Sequence, residues 1–147
     1  MTDTAARQHW MSVLARASEA ELHAALAEAP ALPEHVVLRA PETGLAMVRG
    51  RAGGGGGKFN LGEMTVTRCS VRAGGRVGHA YRAGRHKEAA LLSARLDAAL
   101  QDPLLHGALH DAVIAPLARA QDEQRQMIAA RAAATRVEFF TMRSMRT

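Results

Sequence analysis

Apolar residues in the first part of the chain recur at helical spacing and predict two consecutive helices. A first helix over residues 4–17 would place four apolar side chains on one face: Trp10, Val13, Leu14 and Ala17. Ser18 and Glu21 then have the spacing of a capping box, in which each side chain satisfies a backbone amide at the helix start. The second helix has its own apolar stripe and ends before two prolines: Leu22, Ala25, Leu26, Ala29, then Pro30 and Pro33.

Between residues 34 and 83 the pattern changes to short runs of Val, Thr and Met separated by turn residues, which predicts four strands. We expect them at His35–Ala40, Leu45–Arg51, Asn60–Arg72 and Arg76–Ala83. The segment Pro41-Glu42-Thr43-Gly44 is predicted to turn between the first two strands, and Ala73-Gly74-Gly75 between the last two. Because these connections are short, neighbouring strands should run antiparallel.

Helical spacing returns in the second half of the chain. A helix is predicted over residues 85–101 because the apolar residues of this segment would lie on one side of it. Asp102 followed by Pro103 is typical of the N-cap and first turn of a further helix. A last helix is predicted over residues 112–134, followed by an extended tail over residues 135–142. The expected fold is therefore α+β: one domain over residues 1–147, with a four-stranded antiparallel meander flanked by N-terminal and C-terminal helices.

Composition suggests a chain that depends on partners for part of its stability. Hydrophobic residues make up 48% of the 147 residues but aromatic residues only 3%, and buried alanine removes little surface from water. No stretch reaches the roughly 18–20 apolar residues of a membrane span, and the first residues lack the pattern of a secretory signal. The single cysteine, Cys69, excludes a disulfide within one chain. We expect a cytoplasmic protein.

The positive charge is concentrated in the middle of the chain. The formal net charge is +5, and residues 39–87 hold ten basic residues against two acids, Glu42 and Glu63: Arg39, Arg49, Arg51, Lys58, Arg68, Arg72, Arg76, Arg82, Arg85 and Lys87. Such a field attracts phosphates, nucleic acid or an acidic protein surface. Within strands, residues two apart share a face, so a sheet with one basic face is a plausible expectation, although strand register is open.

Two glycine-containing segments are candidate anion sites. Gly53–Gly57 followed by Lys58 fails as a P-loop because Ala52 and Phe59 occupy positions that need Gly and Ser/Thr, and a strand should follow. A hairpin tip is the favoured interpretation, and ordering of the tip around a partner or anion is the alternative. At Gly84, Arg85 and Lys87 a helix begins with unsatisfied amides beside two cations, which makes the segment a candidate anion or phosphate site. The alternative is an ordinary solvated first turn.

No catalytic set or metal site is evident. His106 and His110 have i, i+4 spacing, but neither the Glu of an H-E-x-x-H motif nor a third ligand accompanies them, so a surface pair is favoured. Cys69 lies within a predicted strand, where a buried, unreactive thiol is the usual case. We assign no catalytic residue and no metal ligand.

Aromatic residues provide the candidate interface anchors. Trp10, Phe139 and Phe140 lie near the chain ends and Phe59 follows the glycine tip. Core packing is the default for each of them, but exposed aromatic side chains are typical of protein interfaces.

An ordered set of motifs resembles the PhnG family of the bacterial carbon–phosphorus lyase system. The matching segments span nearly the whole chain: residues 7–15 (RQHWMSVLA), residues 39–45 (RAPETGL), the glycine tip before Phe59, Thr67-Arg68, Gly84-Arg85 with Lys87, residues 114–117 (IAPL) and residues 136–142 (RVEFFTM). The unbroken run of glycines and the residues after Met142 depart from the family pattern.

The resemblance implies a role inside an assembly. It implies that the chain assembles with PhnH, PhnI and PhnJ. It also implies that the chain, together with PhnH, PhnI and an ATPase-like PhnL, supports transfer of an alkylphosphonate to the ribose C1 of MgATP with release of adenine. MgATP would be the substrate of the complex, and this chain would bind no cofactor alone. Two other classes compete: a nucleic-acid-binding module, supported only by charge because stacking aromatics are scarce, and a small stand-alone phosphate-ligand enzyme using Gly84, Arg85 and Lys87.

Overall fold

Five α-helices and three β-strands follow one another through residues 3–52 and 55–137, the parts of the chain that the computed structural model describes. The elements are α1 (Thr4–Arg16), α2 (Glu19–Ala27), β1 (His35–Gly50), β2 (Phe59–Ala73), β3 (Arg76–Ala83), α3 (Lys87–Leu100), α4 (Pro103–Leu109) and α5 (Ala115–Ala134). The α+β class is confirmed. Within the described ranges no helix has both the length and the apolar character that a bilayer crossing requires.

The predicted helix starts are confirmed by their caps. The Ser18 hydroxyl accepts from the Glu21 amide at 3.2 Å, and the Glu21 carboxylate accepts from the Ser18 amide at 2.7 Å. The hydrogen bond from the Ser18 backbone amide, and after it the Ser18 side chain, lowers the pKa of the Glu21 carboxyl. At α4, the Asp102 carboxylate accepts from the Leu104 amide at 3.0 Å, and Pro103 opens the helix. Local signals therefore define these starts.

The predicted four-stranded sheet is wrong: the described sheet has three strands, in the order β1-β2-β3. Strand β1 continues through Pro41-Glu42-Thr43-Gly44, where a turn was predicted. Pro41 is tolerated because β1 is an edge strand, so its missing N–H need not join a ladder. Register shifts on either side of Arg39 absorb the irregularity, and Glu42 then pairs with Arg68. The turn residues therefore mark bulges and not a reversal.

The predicted hairpin between the last two strands is confirmed. Strands β2 and β3 meet in a two-residue turn at Gly74 and Gly75, whose φ angles of 56° and 77° suit a type I′ hairpin. Strands β1 and β2 pair up to Gly50 and Phe59 and are connected by residues 51–58. The predicted glycine tip falls partly outside the described residues, since these exclude Gly53 and Gly54. A strand follows the glycine run, so its surroundings are not those of a phosphate-binding P-loop.

Helix α3 lies between the sheet and the other helices and packs differently on each side. Ala90, Ala94 and Ala98 face the sheet, where they contact small residues that include Cys69 and Ala80. The opposite side carries larger residues into a helical core shared with α1, α2, α4 and α5: Leu92, Leu96 and Leu100. Small side chains allow close approach of helix and sheet, and the leucines supply most of the apolar area in α3.

The last helical region differs in detail from the single helix predicted over residues 112–134. Helix α4 passes into a π-helical turn at His110–Ile114, in which the Ala115 amide donates to the His110 carbonyl. The wider turn precedes Pro116, which cannot donate to the carbonyl of Ala112. Helix α5 then extends to Ala134. Most of the predicted extended tail, residues 138–142, lies outside the described residues.

Candidate functional site

The junction between β3 and α3 holds the predicted anion site, and a buried threonine fixes it. Gly84 has a φ of 86°, and its amide donates to the Thr65 carbonyl at 2.8 Å. The Thr67 hydroxyl donates to the Gly84 carbonyl at 2.6 Å and accepts from the His86 amide at 3.2 Å. A side chain at residue 84 would be strained by the positive φ and would meet the His86 ring. Glycine is thus required here by geometry.

The cations of this junction point to solvent. Arg85 and Lys87 are exposed, and His86, the N-cap residue of α3, makes no side-chain capping hydrogen bond. The first-turn amides of α3 therefore have no side-chain cap, and they lie at the positive end of the helix dipole. Glu88 lies in the same turn and opposes the attraction. The structure brings Gly84, Arg85 and Lys87 together, while their binding role stays a prediction.

The basic residues of the middle segment do not form one basic face. Arg68 and Arg72 lie on the open side of the sheet, whereas Arg82 pairs with Thr67 on the side that α3 covers. Three of the basic residues are paired with acids: Arg39 with Glu42 at 3.2 Å, Arg68 with Glu42 at 2.7 Å and Arg76 with Asp102 at 3.5 Å. The expectation of a single basic face is therefore wrong.

Arg82 has a structural role that its charge did not suggest. Its guanidinium is buried and donates to the Leu14 carbonyl at 2.6 Å and to the Ala17 carbonyl. Both carbonyls belong to the end of α1, where the helix dipole is negative and free acceptors need partners. Burial lowers the pKa of Arg82. This arginine fastens α1 to the sheet and is not available to a ligand.

A buried carboxylate, which the sequence analysis missed, organises the packing of α1 against α3 and β3. Asp97 is fully buried and accepts from Arg7 Nε at 3.1 Å, Arg7 Nη2 at 2.7 Å, Trp10 Nε1 at 2.9 Å and the His79 amide at 2.9 Å. The hydrogen bond to Asp97 is the main cause of the raised pKa of Arg7. A carboxylate with four donors is a well-satisfied buried charge.

The candidate interface aromatic residues differ in their surroundings. Trp10 is 1% exposed, and this burial supports core packing over an interface role. Phe59 is 46% exposed at the start of β2, which leaves its ring available to a partner. Phe139 and Phe140 lie outside the described residues.

Catalytic and metal chemistry find little support among the described residues. No group of three or more His, Cys, Asp or Glu side chains is placed to hold a metal ion in residues 3–52 and 55–137. His106 Nδ1 lies 2.8 Å from the Leu100 carbonyl oxygen. Cys69 is buried, and this burial raises the pKa of its thiol. These contacts agree with structural roles.

One serine–histidine contact was also missed by the sequence analysis. Ser70 Oγ and His79 Nδ1 lie 2.8 Å apart on neighbouring strands, on the open side of the sheet. Nucleophilic catalysis by such a pair needs a third group that orients the imidazole. Within the described part of the chain, no carboxylate hydrogen-bonds to the His79 ring. The pair is therefore explained as a cross-strand hydrogen bond.

Comparison with known proteins supplies what the site geometry leaves open. The family model described as phosphonate metabolism protein PhnG matches residues 5–144. A curated protein of Rhizobium meliloti (strain 1021), the alpha-D-ribose 1-methylphosphonate 5-triphosphate synthase subunit PhnG, is 46% identical over 142 residues, covering 94% of this chain and 88% of the relative. The resemblance carried by the sequence motifs is thereby confirmed over nearly the whole chain. This chain belongs to the PhnG family of phosphonate metabolism proteins.

Proposed function

We propose that this chain is the PhnG-type subunit of an alpha-D-ribose 1-methylphosphonate 5-triphosphate synthase. The observation that carries the proposal is the 46% identity, over 94% of the chain, to a relative named as that subunit. In this role the chain supports transfer of an alkylphosphonate to the ribose C1 of MgATP, with adenine as the leaving group.

The proposal includes the composition of the assembly and its place in the cell. The chain would join PhnH-, PhnI- and PhnJ-type subunits of the carbon–phosphorus lyase core complex, with a PhnL-type ATPase acting beside them, in the cytoplasm. MgATP would be a substrate of the complex, and this chain alone would bind no cofactor, nucleic acid or membrane. The motif resemblance supports these finer assignments.

Two sets of residues have roles in this proposal. Gly84, Arg85 and Lys87 would contact an anion, either a substrate phosphate or a carboxylate of a partner, because exposed cations there flank a helix start that has no side-chain cap. Phe59, Phe139 and Phe140 would contact partner subunits. Trp10 is better explained by its hydrogen bond to Asp97 and its burial than by a partner contact.

The membership of the complex is tested by co-expression with the neighbouring phosphonate genes. We expect affinity purification through a tagged PhnI-type subunit to recover this chain in fixed stoichiometry, and mass measurement of the intact particle to include it. Recovery of a particle of PhnH-, PhnI- and PhnJ-type subunits without this chain would contradict the proposal.

A further inference from the structure

A two-stranded arm extends beyond the part of the sheet that α3 covers. Strand β3 ends at Ala83, which pairs with Val66, so residues 59–65 of β2 pair only with β1. We use the name arm for residues 44–50 of β1 and 59–65 of β2. Two-stranded ribbons are marginally stable in water on their own. The arm therefore presents surface without the support that the rest of the sheet receives from α3.

The two faces of the arm differ in chemistry. Residues directly opposite each other in antiparallel strands share a face, so Ala46 with Met64 and Val48 with Gly62 lie on one face, and Leu45 with Thr65 and Met47 with Glu63 on the other. The first face has no charged residue in the arm. We call it the apolar face; it consists of Gly44, Ala46, Val48, Gly50, Phe59, Leu61, Gly62 and Met64.

A bulge directs Leu61 to the apolar face. The register shift between Val48 and Arg49 leaves Leu61 without a partner on β1, and Gly62 has a φ of 151°. A Cβ atom added to Gly50 would lie 2.6 Å from Leu61 Cδ1, so the leucine side chain covers Gly50. Bulges re-aim side chains in this way. Phe59, which pairs with Gly50, lies on the same face.

The apolar face is open to solvent. Phe59 is 46% exposed, Leu61 58% and Met64 39%. These three large apolar side chains lie on one face of the ribbon, and exposed apolar surface of this kind marks binding sites.

The charge at the end of the arm indicates what kind of partner surface would bind there. Arg49, Arg51 and Lys58 are exposed where β1 ends and β2 begins. None of the three forms an ion pair with another described residue. Because these cations lie at the end of the arm and not on the apolar face that carries the exposed Phe59 ring, the geometry does not suit nucleic acid, whose binding needs stacking and phosphate contacts side by side.

We infer that the apolar face of the arm docks into an apolar cleft of another subunit of the synthase, with carboxylates of that subunit opposite Arg49, Arg51 and Lys58. This inference rests on the proposed function, because the occupant is a subunit of the same complex. The arm would complete its hydrophobic packing only in the assembly. Burial of Phe59, Leu61 and Met64 would supply the attraction, and the cations would orient the contact.

The inference is tested with a matched pair of variants on opposite faces of the arm. Leu61→Asp puts a charge on the apolar face, and Met47→Asp puts the same charge on the other face at a residue of similar exposure, 54%. Both variants are co-expressed with the neighbouring genes and purified through a tagged PhnI-type subunit. Recovery of Leu61→Asp should fall about tenfold or more, since a buried unpaired charge weakens an interface strongly. Recovery of Met47→Asp should stay within about twofold of wild type, as for a surface substitution.

Further measurements keep folding and assembly distinguishable. Thermal unfolding of each purified chain should be the same for both variants, and Phe59→Asp should reproduce the effect of Leu61→Asp. Reversal of the end charges, Arg51→Glu with Lys58→Glu, should lower recovery more at low than at high salt. Wild-type recovery of both Leu61→Asp and Phe59→Asp would overturn the docking inference alone. Absence of the wild-type chain from the purified complex would instead overturn the proposed function. It would also overturn the proposal that the arm binds another subunit of the synthase.

Discussion

Replacing Gly78 with alanine is expected to lower the free energy of unfolding by about 3 kcal/mol, at the upper end of overpacking effects. Gly78 lies in β3 opposite Val71, directly beneath α3. A Cβ atom there would be 2.0 Å from the Ala94 carbonyl oxygen, 2.5 Å from the Ala98 amide nitrogen and 2.8 Å from the Ala98 Cβ. Two of these atoms belong to the helix backbone, so α3 as a whole would have to move away from the sheet.

Denaturant unfolding of the purified chain measures this effect, with Gly44→Ala as the matched control. Gly44 also lies in a strand, but a Cβ atom there meets nothing within 4 Å. Its substitution should change the free energy of unfolding by less than about 0.5 kcal/mol. Equal stability of Gly78→Ala and Gly44→Ala would contradict the close helix–sheet contact described above.

Replacing Asp97 with alanine is expected to cost about 3–5 kcal/mol, the range for removing one partner of a buried ion pair. The change leaves the Trp10 indole and the His79 amide without an acceptor in a buried region, and leaves Arg7 beside them without its carboxylate. Arg7 is 30% exposed and can reach water in part. The remaining buried donors carry most of the cost.

Asp111→Asn is the control for the loss of a carboxylate, because its side chain is 86% exposed. It should leave the free energy of unfolding within about 0.5 kcal/mol of wild type. Tryptophan fluorescence is a second reporter, since Trp10 is the single tryptophan of the chain. Asp97→Ala with wild-type stability would show that Asp97 does not hold α1 to α3 and β3.

Local features of the fold could be predicted because their signals lie within a few residues. The capping box of Ser18 and Glu21, the N-cap at Asp102 and the turn at Gly74 and Gly75 each depend on short-range backbone geometry. The strand break predicted at residues 41–44 was wrong because the same residues suit a turn and a bulged edge strand. Only pairing with β2 decides between the two outcomes, and that pairing is a tertiary interaction.

The missed features depend on contacts between distant parts of the chain. Asp97 lies within a helix, where an isolated acid is usually solvated, and its partners Arg7 and Trp10 are some 90 residues earlier. Arg82 was grouped with the other cations because its burial under α1 has no local signal. Gly78 did have a signal: an isolated glycine within a strand indicates close backbone approach, and Ala90, Ala94 and Ala98 recur at helical spacing. Together they could have predicted the close contact.

The most direct test of the central claim is adenine release by the synthase reconstituted with and without this chain. MgATP and methylphosphonate are supplied to purified PhnH-, PhnI- and PhnL-type subunits, and free adenine is measured. We predict release only when this chain is added, and none from this chain alone. Undiminished adenine release without the chain, or appreciable release by the chain alone, would contradict its assignment as a supporting subunit of the synthase.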